Sequence, residues 1–417
     1  MDADRREYSR PFLGWRMVAI AFLSYNCAMG LTSGSFGTLL PTLQNDLHTS
    51  RAAASSAYGF MLLSTGLLSP VVGNLTRFFR LRTLMITGAA FNALGFLLLA
   101  YADNLTEVLL IYGGVVGSAG CLMGVIPSPT LVGRWFEQGT RGKALGLTMM
   151  PMFIFIAPPI AAFMIEHGGR HLLFLFMAAV FAAVIPVLTL VVEQPADVGQ
   201  TSLRPVAAAE RGRKPEVTVP IKSTFEIFTD TRFWLISIAI GILTASGIAF
   251  VAQGVGIAIE TGAGLTAAST VLSAYGAGTL AGALVYGWLM DRLGPFLTLI
   301  ICMSVDVAAW FAFTGISSLA PMQLLAGLIG AAAGATVALH SAVMPEIFGT
   351  NNFSRAIGYS YLIKVPFLFG AAPLSGYLYD RSHNYGSTFL FFACALCVAT
   401  AVSILLAFDQ RRRYRPA

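Results

Sequence analysis

Long apolar runs alternate with short polar connections over nearly the whole chain. Twelve runs have spanning length: 15–43, 53–76, 83–101, 106–133, 144–166, 172–192, 233–260, 267–290, 296–315, 320–344, 355–380 and 386–408. A hydrocarbon core of about 30 Å takes about 20 helical residues, so each run predicts a transmembrane helix. One connection differs from the rest. Residues 193–231 are rich in Pro, Glu, Arg and Lys, show no apolar periodicity, and read as a linker. The predicted organisation is a terminal segment 1–13, a six-helix half 14–193, a linker 194–231, a second six-helix half 232–409, and a terminal segment 410–417. The fold class is an all-α membrane protein of twelve transmembrane helices in two pseudo-symmetric six-helix halves.

Composition agrees with the pattern. The 417 residues are 56% hydrophobic and 11% charged, less than half the charged share of a soluble domain. The net charge of +6 does not point to nucleic acid, because the cations lie in short connections and at the termini. Their distribution orients the bundle. With both termini placed inside, 22 of the 26 Lys and Arg fall on the inner side. Only Arg51, Arg170 and Arg381 fall outside, and Lys364 lies within a span. The positive-inside rule therefore predicts cytoplasmic N- and C-termini in the cell (inner) membrane. Arg5, Arg6 and Arg10 before an apolar run imitate a signal peptide, but the run Met17–Leu40 is too long for one and lacks a small-residue cleavage site. The lipid bilayer is thus an expected partner and nucleic acid is not; a monomer is expected.

The two halves repeat. Gly73 opens GNLTRFFRLR after the second run, and Gly287 opens GWLMDRLGPF after the eighth, 214 positions on. RWFEQGTRGKALG (Arg134–Gly146) precedes the fifth run, and EIFGTNNFSRAIG (Glu346–Gly358) precedes the eleventh, 212 positions on. A near-constant offset marks a duplicated unit, the signature of a transporter whose site lies between repeats near the midplane.

Within the eleventh run, RAIGYSYLIKVPFLFGAAPLSGYLYD, stands one cation, Lys364. A charge at membrane depth costs a few kcal/mol even on the lenient insertion scale, so it needs a partner or a water-filled cavity. The apolar runs supply hardly any acid to pair with it. One reading makes Lys364 the docking charge for a transported anion. The other makes it a structural lysine that snorkels to an interface or pairs with Asp306. Ser360 and Tyr361, four and three residues earlier, share its helical face.

The repeat, the loop sequence GWLMDRLG (Gly287–Gly294) and the twelve spans resemble the major facilitator superfamily over nearly the whole chain. In the first-half copy of that loop motif, Arg77 stands where the acid is expected and Arg80 where the second glycine is expected. Three features are similar to the oxalate–formate antiporter and monocarboxylate transporter group. They are Gly14-Trp15 opening the first run, Arg134-Trp135-Phe136 with Arg141-Gly142, and Ile347-Phe348-Gly349-Thr350 before a span with a mid-helix lysine. The resemblance implies the major facilitator fold, with spans 1, 2, 4, 5, 7, 8, 10 and 11 lining a cavity. It also implies that Lys364 occupies the position of a substrate lysine. Two cations of those relatives are missing: Ala283 stands where an arginine is expected, and the region near Ser33 has no lysine. Their coupling acid in span 8 has no match either.

The resulting expectation is a secondary active transporter of a small organic anion, most simply a monocarboxylate, working by alternating access with proton coupling. The alternatives are a carboxylate exchanger, or an exporter of another small metabolite or drug. Candidate substrate contacts are Lys364, Tyr361, Asn26, Gln253, Tyr275 and Thr279; each polar residue has the alternative of joining helices. Lys364 and His340 are candidates for proton coupling, His340 because imidazole titrates near neutral pH. Asp291, ending span 8, and Arg141, beginning span 5, are candidates for a cytoplasmic gate by the two-fold repeat. Cys394 and Cys397 form a CxxC on an apolar helix with no His or acid nearby, so they read as packing residues. No metal and no cofactor is expected. With no HExxH, GxSxG or clustered His/Asp set, no enzyme is expected; a transporter-like sensor stays open, although the linker resembles no signalling domain.

Overall fold

The computed structural model describes residues 12–137, 140–202 and 223–413. Residues 203–222 of the predicted linker and 1–11 and 414–417 of the terminal segments lie outside the described residues. The described chain is helical with short connections. The helices are α1 Gly14–Asp46, α2 Arg51–Leu75, α3 Leu81–Ala100, α4 Leu105–Trp135, α7 Thr231–Ile259, α8 Leu265–Leu293, α9 Pro295–Gly315, α10 Leu319–Phe348, α11 Arg355–Ser382 and α12 Gly386–Gln410. Between α4 and α7 runs Arg141–Leu188, 48 residues and too long for one crossing. Gly168 (φ −159°, ψ 19°) and Gly169 (φ 64°, ψ −166°) leave helical geometry and divide it into α5 and α6. Gly169 carries a backbone conformation that a side chain disfavours. Among the described residues, eleven apolar helical stretches thus hold twelve crossings.

Helix boundaries follow local chemistry. Asn104 caps α4 by accepting from the Glu107 N–H at 2.9 Å, while Glu107 returns to the Asp103 N–H at 3.1 Å. Gly294 at φ 82° ends α8, and Pro295 starts α9 where its missing N–H costs nothing. In the linker, Ser223 and Glu226 form a reciprocal capping box on the short helix Thr224–Thr229.

Spatial contact groups the chain differently from chain order. One compact unit takes the chain up to Thr32, Ser64–Phe153 and the chain from His171 into the linker. The other takes Ser33–Leu63, Ile154–Arg170 and the chain beyond the linker. Each of α1, α2 and α5 is therefore shared, and the ends carrying Ser33–Asp46, Arg51–Leu63 and Ile154–His167 belong with α7–α12.

The first unit buries Phe96, Tyr112, Trp135, Phe174 and Phe181, with Phe96 stacked on Phe181 at 5.4 Å. Its α1 and α4 contain π-helical turns at Asn26–Leu31, Ile111–Val116 and Cys121–Val125. Local helix also fails at Met149–Pro151, between Arg141–Thr148 and Met152. Pro151 lacks an N–H, so the helical ladder is interrupted there, at a depth where lipid cannot satisfy a freed backbone group.

The second unit is held by close backbone approach of α8 and α10. A Cβ on Gly278 would stand 2.0 Å from the Gly327 carbonyl oxygen, and one on Gly334 2.1 Å from that of Thr279. Small residues at helical spacing let these helices touch without intervening side chains, the usual way of packing helices in lipid. An aromatic cluster of Phe250, Trp310, Phe313, Phe389 and Phe392 fills the space beside them, with Trp310 stacked on Phe392 at 5.1 Å.

Candidate functional site

Lys364 lies nine residues into α11, about 14 Å along the axis from Arg355. It is 3% exposed. Its Nζ donates to Nδ1 of His340 on α10 at 3.1 Å. It also sits 3.8 Å above the Tyr361 ring centroid, one turn earlier on its own helix. His340 is fully buried, and its Nε2 lies 2.9 Å from the Ser360 hydroxyl. An ammonium has only donors, so Nδ1 must accept and Nε2 carries the proton toward Ser360. The imidazole ring also meets Tyr361 edge-on at 5.2 Å. The four residues Lys364, His340, Ser360 and Tyr361 thus form one constellation between α10 and α11.

No carboxylate partners Lys364 among the described residues. Asp306 is engaged elsewhere: it accepts from Ser246 at 2.7 Å, and Ser246 accepts from the Trp310 indole at 3.0 Å. Pairing of Lys364 with Asp306 is therefore not what the structure shows. The lysine has a π face and a neutral imidazole beside it, which orient it without cancelling its charge. Tyr361 is 41% exposed, so the constellation is not sealed on that side.

The other sequence candidates make contacts of their own. Asn26 is fully buried in the π-helical turn of α1. Its amide nitrogen donates to Met150 O at 2.9 Å and Phe22 O at 3.1 Å, and its oxygen accepts from Phe153 N–H at 3.0 Å. Asn26 thus satisfies both sides of the break in α5. Gln253 donates to Ser375 at 3.3 Å and accepts from the Tyr385 hydroxyl at 3.2 Å. Tyr275 is buried and stacks on Phe250 at 5.5 Å. Thr279 donates to Gly276 O at 2.6 Å within α8. Asp291 and Arg141 are both exposed, as is Ala283. Cys394 and Cys397 are free and exposed.

Sequence reasoning placed Ser360 on the lysine's face but did not join it to His340. It passed over a second polar network at the other end of α11, where Asp380, Arg51, Tyr385 and Gln253 meet. The signal available was the repeat itself, since Asp380 lies 214 positions after Glu166.

Comparison with known proteins agrees with this architecture. The family model for the Major Facilitator Superfamily matches residues 21–259 and 238–417. Monocarboxylate transporter 13 of Bos taurus is 25% identical over 401 residues, covering 94% of this chain and 89% of that protein. An uncharacterized MFS-type transporter, YcxA of Bacillus subtilis (strain 168), is 23% identical over 398 residues, covering 86% and 93%. Among solved structures, the nucleoside transporter NupG superposes with a TM-score of 0.69 at 14% identity, covering 97% of this chain and all of that one. A bacterial homologue of the human lysosomal transporter Spinster, inward-facing and unoccupied, gives 0.67 at 14% identity, covering 97% and 96%. At that identity the structures speak for the fold alone. With matches to both halves of the chain, twelve apolar crossings and an internal repeat, the protein belongs to the Major Facilitator Superfamily and is a multi-pass membrane transporter of a small molecule, not an enzyme.

Proposed function

We propose that the chain moves a small organic anion, a monocarboxylate, by alternating access, with Lys364 as the docking charge. The observation that carries this reading is a buried ammonium whose neighbours are an imidazole nitrogen and a tyrosine face rather than an acid. A carboxylate entering a low-dielectric cavity needs a compensating charge, and Lys364 has one uncommitted. Relatives named as monocarboxylate transporters support the cargo class. Tyr361 supplies a hydroxyl for a second carboxylate contact. With Ala283 where the relatives' arginine is expected, one fixed cation favours a monoanion over a dianion.

His340 gives this site a place for a proton. Nδ1 accepts from Lys364; when a carboxylate takes that donor of the ammonium, Nδ1 is free to bind a proton. An anion and a proton then travel together with no net charge, which is symport without a dedicated acid. Asp291 and Arg141 act as the cytoplasmic gate in this scheme, and the termini face the cytoplasm in the cell membrane. A tag in the linker 194–231 is then reachable only from the cytoplasm.

The test is uptake of labelled acetate, lactate, pyruvate and oxalate into proteoliposomes, with and without an inward proton gradient. The expected result is gradient-stimulated monocarboxylate uptake that Lys364→Gln abolishes. His340→Gln is expected to keep carboxylate exchange but lose stimulation by the gradient. Wild-type uptake by Lys364→Gln overturns the anion site. Gradient-independent uptake by the unsubstituted protein turns the reading to exchange.

A further inference from the structure

The connections α1–α2, α5–α6, α7–α8 and α11–α12 all follow an odd-numbered helix, so they share the face opposite the chain termini. In the orientation proposed above, that face is the outer one. Its polar groups within the second compact unit form two arrangements that the repeat relates.

In the first, Asp380 at the end of α11 accepts from the backbone N–H groups of Arg51 at 3.0 Å and Ala52 at 2.8 Å. These are donors of the first turn of α2, which have no partner within their own helix. The next one, Ala53 N–H, goes to Ser50 at 3.2 Å. In the second arrangement, Glu166 at the end of α5 accepts from Thr266 N–H at 3.1 Å and from the Thr266 hydroxyl at 2.8 Å. Thr266 stands in the first turn of α8, and the residue before that helix, Gly264, has no side chain to cap it. Asp380 is 214 positions after Glu166, and Thr266 is 214 positions after Ala52. Close backbone contacts lie beneath both, with one partner at the same interval and the glycines 217 positions apart. A Cβ on Gly59 would stand 2.5 Å from Phe369 O, and one on Gly276 2.5 Å from Phe155 N, with Phe369 214 positions after Phe155.

Each carboxylate therefore caps a helix that belongs to the other half of the sequence. A capping acid normally serves its own helix; here it ties α11 to α2 and α5 to α8. The positive end of each helix dipole strengthens the contact. The first arrangement is reinforced by the Arg51 side chain, which donates to Gln44 at 3.0 Å and to the Tyr385 hydroxyl, and lies over the Tyr379 ring at 4.0 Å. Arg170 adds an ion pair to Asp46 at 3.2 Å.

We propose that Asp380 and Glu166 are paired clasps that hold shut the face opposite the termini, each seated on the first turn of a helix from the other half. Opening of that face parts α11 from α2 and α5 from α8 and breaks both sets of hydrogen bonds, the first around a half-buried Asp380 and the second around an exposed Glu166. The proposal concerns the gate and does not rest on the cargo assigned to Lys364.

The experiment measures spin-label distances in nanodiscs, with the native cysteines replaced. One label pair is at Asn45 and Arg381, across the first clasp, and the other at His167 and Ala267, across the second; all four positions are exposed. Asp380→Asn, Glu166→Gln and the double variant are compared with the starting protein. Each amide loses the charge and one of the two acceptor oxygens, and a charge-assisted hydrogen bond lost from one state shifts a two-state ratio by about tenfold at half-buried Asp380 and by less at exposed Glu166. The expected result is a longer-distance population that rises by about that factor in Asp380→Asn, by less in Glu166→Gln, and furthest in the double variant. Thr266→Val removes one donor and keeps both carboxylates, so it carries the test if the double variant does not fold. Distance distributions equal to the starting protein's in Thr266→Val and in each carboxylate variant that folds overturn the proposal. No cargo is needed, so this failure is distinct from a failure of the transport assay.

Discussion

Replacing Lys364 with methionine separates a transport role from a structural one. Methionine keeps most of the stem volume and removes the charge. The structure assigns two stabilising contacts to the ammonium, the bond to His340 at 3.1 Å and the position 3.8 Å above Tyr361. A hydrogen bond to a charged group contributes about 1.5–3 kcal/mol. A desolvated cation–π contact adds about 2 kcal/mol. Against these stands desolvation of an ammonium with no carboxylate partner, which costs several kcal/mol even after relaxation. The opposing terms are of similar size, so the stability of the empty protein should change by no more than about 1–2 kcal/mol. For cargo binding, the carboxylate's own desolvation falls on both proteins and cancels in the comparison. A carboxylate about 4 Å from the ammonium, at an effective permittivity of about 20, gains about 4 kcal/mol, close to a thousandfold in affinity. The assays are thermal unfolding in detergent without cargo and carboxylate uptake in proteoliposomes. The expected pair of results is a nearly unchanged melting temperature with uptake reduced to background. A large fall in melting temperature, with uptake lost only in proportion to folded protein, would refute the reasoning and make Lys364 structural.

Asn26→Ala removes three hydrogen bonds, two of which cover the break in α5, so it should destabilise the protein by about 2–4 kcal/mol; thermal unfolding reads the loss, and KM of the remaining folded protein should hold. Gly334→Leu places a side chain where a Cβ alone would stand 2.1 Å from the Thr279 carbonyl oxygen, so α8 and α10 cannot close and folded protein should be absent from size-exclusion profiles. Asp291→Asn should favour opening toward the cytoplasm, seen as faster labelling of cytoplasmic-side cysteine probes; unchanged labelling removes Asp291 from the gate.

Apolar run length and the 214-residue repeat were enough to read the number of crossings and the duplication from the chain. These properties are local or periodic. A lipid core demands a continuous apolar helix of set length, and a duplicated unit leaves its spacing in the chain whatever the packing. Lys364 was legible for the same reason, since any charge in such a helix stands out.

Its partner was not. His340 lies 24 positions earlier on another helix, and only the register of α10 against α11 brings Nδ1 to 3.1 Å from Nζ. Asp306 looked an equally available partner, but it faces Ser246 instead. Asn26 shows the same limit. A mid-membrane amide can meet a cargo or join helices, and what decides is the loss of helix at Met149–Pro151, 124 positions away at Met150. Asp380 and Glu166 stand at the ends of runs, where the local sequence assigns them no role. Their use depends on which helix terminus lies beneath them, and that is set by close backbone contacts such as Gly59 with Phe369. Composition and period determine which segments cross the membrane; the partner of each polar group within it follows from helix register and approach, which appear only once the helices are packed.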